Sequence, residues 1–385
     1  MKKVFIFGVT GSIGDSALKV LRQFPEKFEL FGVSCNTNIE KLKKILREFS
    51  PSVAVVGSRE GVEILKKEFS EVEFFWGDEG LKQASLIEDF DLALIGISGI
   101  KGLIPAYYSL LKGKLVAIAN KESMIVAGNL LREALRKGNG FLVPVDSEHS
   151  SIFQLLEGRK EEVSFIVLTA SGGPFYELPV EKFKEVTPQQ AVSHPNWKMG
   201  AKISVDSATL MNKGFEVIEA SFLFEIPVDR IKVVIHPQSL VHGAVVMKDG
   251  STFMHMSYPD MQLPIAYALS YPERLPVDIP LVTLDKVKNL IFDEPDFEKF
   301  PCLKLAYEVG KLGGAYPLIL EAADEVVVEA FLQRKIRFDE IPVLLEKSLQ
   351  TYRVSGETLS DIDSVLYEHA KIVDWVKKLV EKGTH

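Results

Sequence analysis

Several short runs in this sequence combine side chains whose types and spacing could do chemistry. Gly8-Val9-Thr10-Gly11-Ser12-Ile13-Gly14 follows a short apolar run and opens an amphipathic one. Glycines there permit a tight turn and let backbone N–H groups approach a pyrophosphate, which would rest on the helix N-terminus. The bland alternative is an ordinary strand-to-helix turn. Asp146-Ser147-Glu148-His149-Ser150 holds two carboxylates with one residue between them. Such hard oxygen donors suit Mg²⁺ or Mn²⁺. His149 reads as structural, because zinc would want more His or Cys. Asn120-Lys121-Glu122-Ser123 is as dense in polar groups. Asn120 and Asp146 are good N-caps, but capping accounts for a single residue in each run.

Two carboxylates make a thin metal site, and a third must come from elsewhere in the chain. Ser204-Val205-Asp206-Ser207-Ala208-Thr209-Leu210-Met211-Asn212-Lys213-Gly214-Phe215-Glu216 offers one. If 208–219 is one helix, Asn212 and Glu216 share a face at i, i+4, with Lys213 adjacent and Ser207 near the start. A phosphate-plus-metal pocket and a solvated amphipathic helix are both compatible with that spacing. In His194-Pro195-Asn196-Trp197-Lys198-Met199-Gly200, Trp197 is either a lid aromatic that excludes water or a core tryptophan. His236, His242 and His255 read as structural.

The elements that must position these groups are legible from hydrophobic patterning. Over 1–145 the apolar runs Val4–Phe7, Phe28–Val33, Val53–Val56, Val72–Trp76, Leu92–Ile97, Leu115–Ala119 and Phe141–Val145 alternate with helical patterns. Near-continuous apolar strands separated by helices predict an α/β fold, a Rossmann-like, doubly wound parallel sheet covered on both faces. Ligands of such sheets bind beyond the carboxyl ends of the strands, where the polar runs fall. Residues 146–271 mix strand-like runs with glycine loops and predict a central α+β catalytic domain, with 194–202 as a lid loop. Prolines at 272, 276, 280 and 295 mark 272–300 as a linker. Residues 301–385 read as a C-terminal α-helical bundle. In it, Pro317 stands at a helix start, and Ser360-Asp361-Ile362-Asp363 resembles a capping box.

Composition narrows the function class. The 385 residues carry 45 Lys+Arg against 53 Asp+Glu, a net charge of −8. This argues against nucleic-acid binding, which wants a basic surplus. Cys35 and Cys302 are too few for a disulfide framework and predict a reducing compartment. Only Val4–Phe7 separates Met1-Lys2-Lys3 from Gly8, too short for a secretory core. No apolar run approaches the roughly 20 residues of a membrane span. The expectation is a cytoplasmic protein without a membrane partner.

The second apolar run ends Gly32-Val33-Ser34-Cys35-Asn36-Thr37-Asn38. It lacks the carboxylate that would bind a free ribose 2′-hydroxyl, so NADP(H) is favoured over NAD(H). The nearest cations in sequence are Lys41 and Lys43.

Taken together, these motifs closely resemble those of the 1-deoxy-D-xylulose-5-phosphate reductoisomerase family. The likeness covers the whole chain and adds Ala170-Ser171-Gly172-Gly173-Pro174-Phe175 to the runs above. It implies an NADPH- and divalent-metal-dependent enzyme (Mg²⁺, Mn²⁺ or Co²⁺) of isoprenoid biosynthesis, typically a homodimer. Its substrate would be a phosphorylated sugar, rearranged at the metal and then reduced. By resemblance, Thr10, Gly11, Ser12 and Ile13 hold the cofactor pyrophosphate, with Asn120, Glu122 and Gly200 adding contacts. Asp146, Glu148 and Glu216 are the metal ligands. Lys121, Ser147, Glu148, Ser171, His194, Ser207, Asn212, Lys213 and Glu216 contact the substrate. Glu148, Lys121, His194 and Trp197 are the catalytic candidates, with Glu148 as proton shuttle and Trp197 on the lid.

One departure stands out. The family pattern Ala-Gly-Lys-Asn after the second strand is replaced by Ser34-Cys35-Asn36-Thr37, leaving Asn36 and Thr37 to donate to a 2′-phosphate. Two rival readings are weaker. A semialdehyde-type dehydrogenase needs a nucleophilic cysteine with a base, and Cys35 and Cys302 are badly placed. A nucleotide-sensing regulator needs a basic DNA-binding module.

Overall fold

The computed structural model describes residues 1–193, 200–354 and 359–383. Its contacts divide the chain into two compact units: Met1–Met124 with Gly128–Ser150 and Asp260–Pro280, and Ile125–Ala127 with Ser151–Pro259 and Leu281–His385.

The first unit runs β1 (Lys2–Phe7), α1 (Ser12–Gln23), β2 (Phe28–Cys35), α2 (Ile39–Phe49), β3 (Val53–Val56), α3 (Arg59–Lys66), β4 (Glu73–Trp76), α4 (Gly77–Ser85), β5 (Leu92–Ile95), α5 (Leu103–Leu111), β6 (Leu115–Ile118), α6 (Lys121–Gly138) and β7 (Phe141–Pro144). The seven strands form one sheet in the order β4-β3-β2-β1-β5-β6-β7. Every pairing in it is parallel. Val4–Phe7 and Leu92–Ile95 are buried on both faces, which is why they read as unbroken apolar runs. Glu73 is exposed on the edge strand β4, so its carboxylate costs nothing there. The chain winds outward from β1 to β4 and returns beside β1 as β5. This puts the topological switch point between β1 and β5, where doubly wound sheets bind ligands.

Helix α7 (Ser147–Leu156) spans the boundary of the two units. Beyond it come β8 (Val163–Ala170), the short α8 (Pro188–Ala191), α9 (Ala201–Thr209), α10 (Met211–Phe224), β9 (Ile231–Ile235), β10 (Val241–Met247) and β11 (Thr252–Met256). These four strands form a second sheet in the order β11-β10-β8-β9. It is antiparallel except for β8 with β9. Helix α11 (Gln262–Ser270) belongs to the first unit, where it packs on α1. Residues 272–300 contain no helix or strand, only the bridge of Asp293 to Ile235. Helices α12 (Pro301–Leu312), α13 (Tyr316–Leu332), α14 (Ile341–Thr351) and α15 (Ile362–Lys382) pack together as the expected bundle. Pro317 lies in the first turn of α13. Asp361 caps α15, accepting from Ser364 N at 2.8 Å. No helix among the described residues is long and apolar enough to cross a membrane.

Two expectations need correction. Residues 208–219 are not one helix: Leu210 adopts φ +59°, ending α9 and starting α10. The Thr209 hydroxyl then accepts from Met211 N at 3.3 Å. Strand β11 went unread because Thr252, Phe253 and Met254 are all exposed, which erases the alternation that marks a half-buried strand.

Candidate active site

The glycine turn is built as its composition requires. Gly8 sits at φ +94°, in the left-handed region that favours glycine. A Cβ there would lie 2.7 Å from the Gly96 carbonyl carbon, and one at Gly14 would lie 2.2 Å from Val9 O. Ser34 ties the turn to β2, its hydroxyl accepting from Gly8 N at 2.8 Å. Gly11 is the N-cap of α1 and supplies no side-chain cap, so the helix start keeps the backbone donors that suit an anion. Thr10, Gly11, Ser12 and Ile13 all line this turn. Asn36 is exposed at the tip of β2.

Asn120 is almost wholly buried, at 2 % exposure. Its Oδ1 caps α6, accepting from Ser123 N at 2.9 Å. Its Nδ2 donates to Ile97 O (2.8 Å), Gly99 O (2.9 Å) and Glu122 Oε2 (2.7 Å). Glu122 Oε1 in turn accepts from Gly99 N at 2.9 Å. The pair therefore braces the loop after β5, on the far side of the switch point from Gly8. Lys121, the next residue, places Nζ 2.6 Å from Asp146 Oδ2, with both side chains largely buried. The other Asp146 oxygen accepts from Glu148 N (3.1 Å) and His149 N (3.3 Å) and so caps α7. Ser147 Oγ donates to Glu148 Oε2 at 2.7 Å. Lys121, Asp146, Ser147 and Glu148 thus form one cluster at the carboxyl ends of β6 and β7.

The second unit carries the other predicted residues. Asn212 Nδ2 donates to Glu216 Oε1 at 2.7 Å, and Lys213 Nζ pairs with Glu216 Oε2. Gly172 and Gly173 have φ of +87° and +69°. A Cβ on Gly173 would come within 2.5 Å of Ser207 O, so the loop bearing Ser171 lies directly against the helix bearing Ser207. Ser171 Oγ accepts from Gly173 N at 3.3 Å. Gly200 is the exposed N-cap of α9. His194 and Trp197 lie outside the described residues.

Sequence reasoning missed a further cluster in this unit. Lys202 bridges Asp206 (2.8 Å) and Asp324, both carboxylates being buried. Burial, and then the Asp324 charge, push Asp206 well above the usual carboxylate range. The spacing of Lys202 and Asp206 on α9 was a visible signal; Asp324 on α13 had none. The two cysteines are free and buried. Burial raises both thiols, which disfavours the thiolate a cysteine nucleophile needs.

These features define a Rossmann-type dinucleotide-binding fold with an α+β unit and a helical bundle attached. Three domain families match it: 1-deoxy-D-xylulose 5-phosphate reductoisomerase over residues 4–128, its C-terminal domain over 142–224, and the DXP reductoisomerase C-terminal domain over 256–375. The chain belongs to the 1-deoxy-D-xylulose 5-phosphate reductoisomerase family. It is 43% identical over 383 residues to the Thermodesulfovibrio yellowstonii member, covering 99% of both chains. It is 46% identical over 381 residues to that of Persephonella marina, covering 98% of this chain and 99% of the relative. Among solved structures, DOX-P reductoisomerase in complex with NADPH, fosmidomycin and magnesium superposes with TM-score 0.94 at 34% identity, covering 99% of this chain and 98% of that one. The Zymomonas mobilis enzyme in complex with NADPH gives 0.92 at 36% identity, covering 99% of both.

Proposed function

We propose that this chain is an NADPH- and divalent-metal-dependent oxidoreductase that rearranges and reduces 1-deoxy-D-xylulose 5-phosphate to 2-C-methyl-D-erythritol 4-phosphate. The product serves isoprenoid biosynthesis by the methylerythritol phosphate route. The observation that carries the reading is the cluster in which Lys121 holds Asp146 at 2.6 Å, on the same parallel sheet whose β1 ends in the glycine turn.

The residues fit the groups they would hold. Glycine at 8 and 14 lets the turn close directly against the backbone of Gly96 and Val9, and α1 offers its backbone donors to a pyrophosphate at Thr10–Ile13, with Asn36, Asn120, Glu122 and Gly200 as further cofactor contacts. Asp146, Glu148 and Glu216 supply the hard oxygens a divalent ion takes. Asp146 and Glu216 each already balance an ammonium group, so positive charge is accommodated at both. When bound, the metal supplies Lewis-acid stabilisation and NADPH supplies hydride. Lys121 orients Asp146 and reaches the substrate. Glu148, held by Ser147, moves a proton. Ser171, Ser207, Asn212 and Lys213 bind the substrate phosphate, whose remote binding energy orients the reacting carbons. His194 contacts the substrate, and Trp197 closes a lid over it.

The protein works in the cytoplasm as a homodimer in this reading. β11 ends the second sheet with Phe253 and Met254 exposed, and an apolar open edge favours pairing with another copy. The test is product identity. The purified protein, given 1-deoxy-D-xylulose 5-phosphate, Mg²⁺ and NADPH, forms 2-C-methyl-D-erythritol 4-phosphate by mass spectrometry; consumption of NADPH with any other product refutes it.

A further inference from the structure

The tip of β2, Ser34-Cys35-Asn36-Thr37, carries no cation, and the cations that stand nearest to it in sequence are committed elsewhere. Lys41 Nζ donates to Thr10 O at 2.9 Å and to Asp15 Oδ2 at 2.7 Å. It therefore supports the glycine turn from below. Lys43 is mostly buried and pairs with Glu40 at 3.2 Å and Glu68 at 3.9 Å. β3 is the outer neighbour of β2, in parallel register with Cys35 opposite Val56. Gly57 N donates to Asn36 O at 3.1 Å, and a Cβ on Gly57 would come to 2.2 Å from Asn36 Oδ1. The Asn36 side chain thus lies over the start of the β3–α3 turn. Ser58 caps α3, its hydroxyl accepting from Gly61 N at 3.2 Å. Arg59 follows as the first residue of that helix, with 72% of its side chain exposed and Glu63 at 3.4 Å. An exposed pair of this kind is weak and exchanges readily for a better anion.

We infer that Arg59, together with Asn36, holds the adenosine 2′-phosphate of NADPH and sets this chain's preference for NADPH over NADH. The inference rests on the NADPH reading above. The ribose of a dinucleotide lies past the carboxyl end of β2, and a 2′-phosphate leaving it on the outer side meets the β3–α3 turn. A guanidinium presents paired N–H donors to phosphate oxygens. Asn36 adds an amide donor, and Thr37 a hydroxyl. Glu60, the acid next to Arg59 in sequence, is held chiefly by its own backbone N–H and the Ser58 hydroxyl, with the Arg59 charge the smallest of its interactions.

The test is direct binding, without sugar substrate. NADPH, NADH and adenosine 2′,5′-bisphosphate are titrated by calorimetry against wild type, R59A, R59K and E63A. Wild type binds NADPH more tightly than NADH. R59A weakens NADPH and the bisphosphate by roughly tenfold or more and leaves NADH unchanged. R59K recovers part of the loss. E63A, which breaks the same surface pair but keeps the guanidinium, binds NADPH as well as wild type or better. An unchanged NADPH/NADH ratio in R59A overturns the inference, as does E63A behaving like R59A. A wild type that binds NADPH and NADH equally overturns it without touching the activity. A wild type that binds neither dinucleotide removes the NADPH reading as well.

Discussion

Lys213 and Glu216 form an ion pair within the first turns of α10 while exposing only 4 % and 1 % of their surface. Removing two charges from water is costly, and the loss is offset only if both find partners. Glu216 uses its second oxygen for Asn212. Lys213→Met leaves that carboxylate buried without its cation and is expected to lower stability by about 3–5 kcal/mol, read by thermal or denaturant unfolding. A loss of a few tenths would show that the pair is solvated in the working protein.

Glu216→Gln separates metal from cofactor. Turnover with Mg²⁺ should fall by about two orders of magnitude or more if a metal ligand has been lost. NADPH affinity should persist, because the glycine turn lies in the other unit. Assays run below the variant's own melting transition keep lost folding apart from lost chemistry. Full turnover would remove Glu216 from the ligand set.

The Lys202 bridge predicts a pH effect with a definite sign. Burial and mutual repulsion raise Asp206, and burial raises Asp324. A carboxyl raised on folding costs stability when ionised, and that cost fades as pH falls toward the unfolded value of about 3.9. Lys202→Met removes the compensating ammonium. Its penalty should be on the order of 1–3 kcal/mol near pH 8, discounted because 32% of Lys202 is exposed. It should shrink near pH 5. Equal penalties at the two pH values would mean that the bridge acts by packing alone.

His369 behaves oppositely. Burial alone would lower its pKa, but the Glu321 hydrogen bond at 2.8 Å and the Glu325 charge outweigh that and raise it. A raised histidine contributes stability that is complete below its unfolded value of about 6.5 and lost as pH rises through the folded value. The stability gap between wild type and His369→Gln should therefore narrow from pH 6 to pH 9. A gap that widens would contradict a charged His369 linking α15 to α13.

Gly14→Ala places a methyl group where only 2.2 Å separates it from Val9 O. The turn must open, so NADPH binding should weaken at least tenfold, measured by nicotinamide fluorescence. Gly250→Ala, where nothing lies within 4 Å but φ is +88°, should cost stability of about 1 kcal/mol and leave cofactor binding alone.

What the residues disclosed in advance was local. The glycine turn, the doubly buried strands and the caps Asn120 and Asp146 follow from neighbours along the chain. So does the i, i+4 relation of Asn212 to Glu216, which survives the break at Leu210, whereas the capping box expected over Ser360–Asp363 is shifted by one residue, with Asp361 as the cap and Ser364 as its partner. What stayed hidden depends on distant partners. Asp324 meets Lys202 from 122 positions away. Asn120 as a brace for Gly99 required the order of β5 and β6. Arg59 gave no signal along the chain because the register of β2 on β3, not spacing, sets Asn36 against Gly57, two residues before it. β11 escaped because Phe253 and Met254, on opposite faces of the strand, are both exposed although they look like core residues.

One chain is expected to couple a metal-dependent rearrangement to NADPH oxidation. The most direct measurement follows NADPH absorbance with 1-deoxy-D-xylulose 5-phosphate, first with Mg²⁺ and then with excess EDTA. Oxidation should proceed with the metal, stop on chelation and resume when Mg²⁺ is restored. Oxidation that continues unabated in EDTA, or none at all from folded protein that binds NADPH, would mean that this chain does not carry out the metal-dependent reaction.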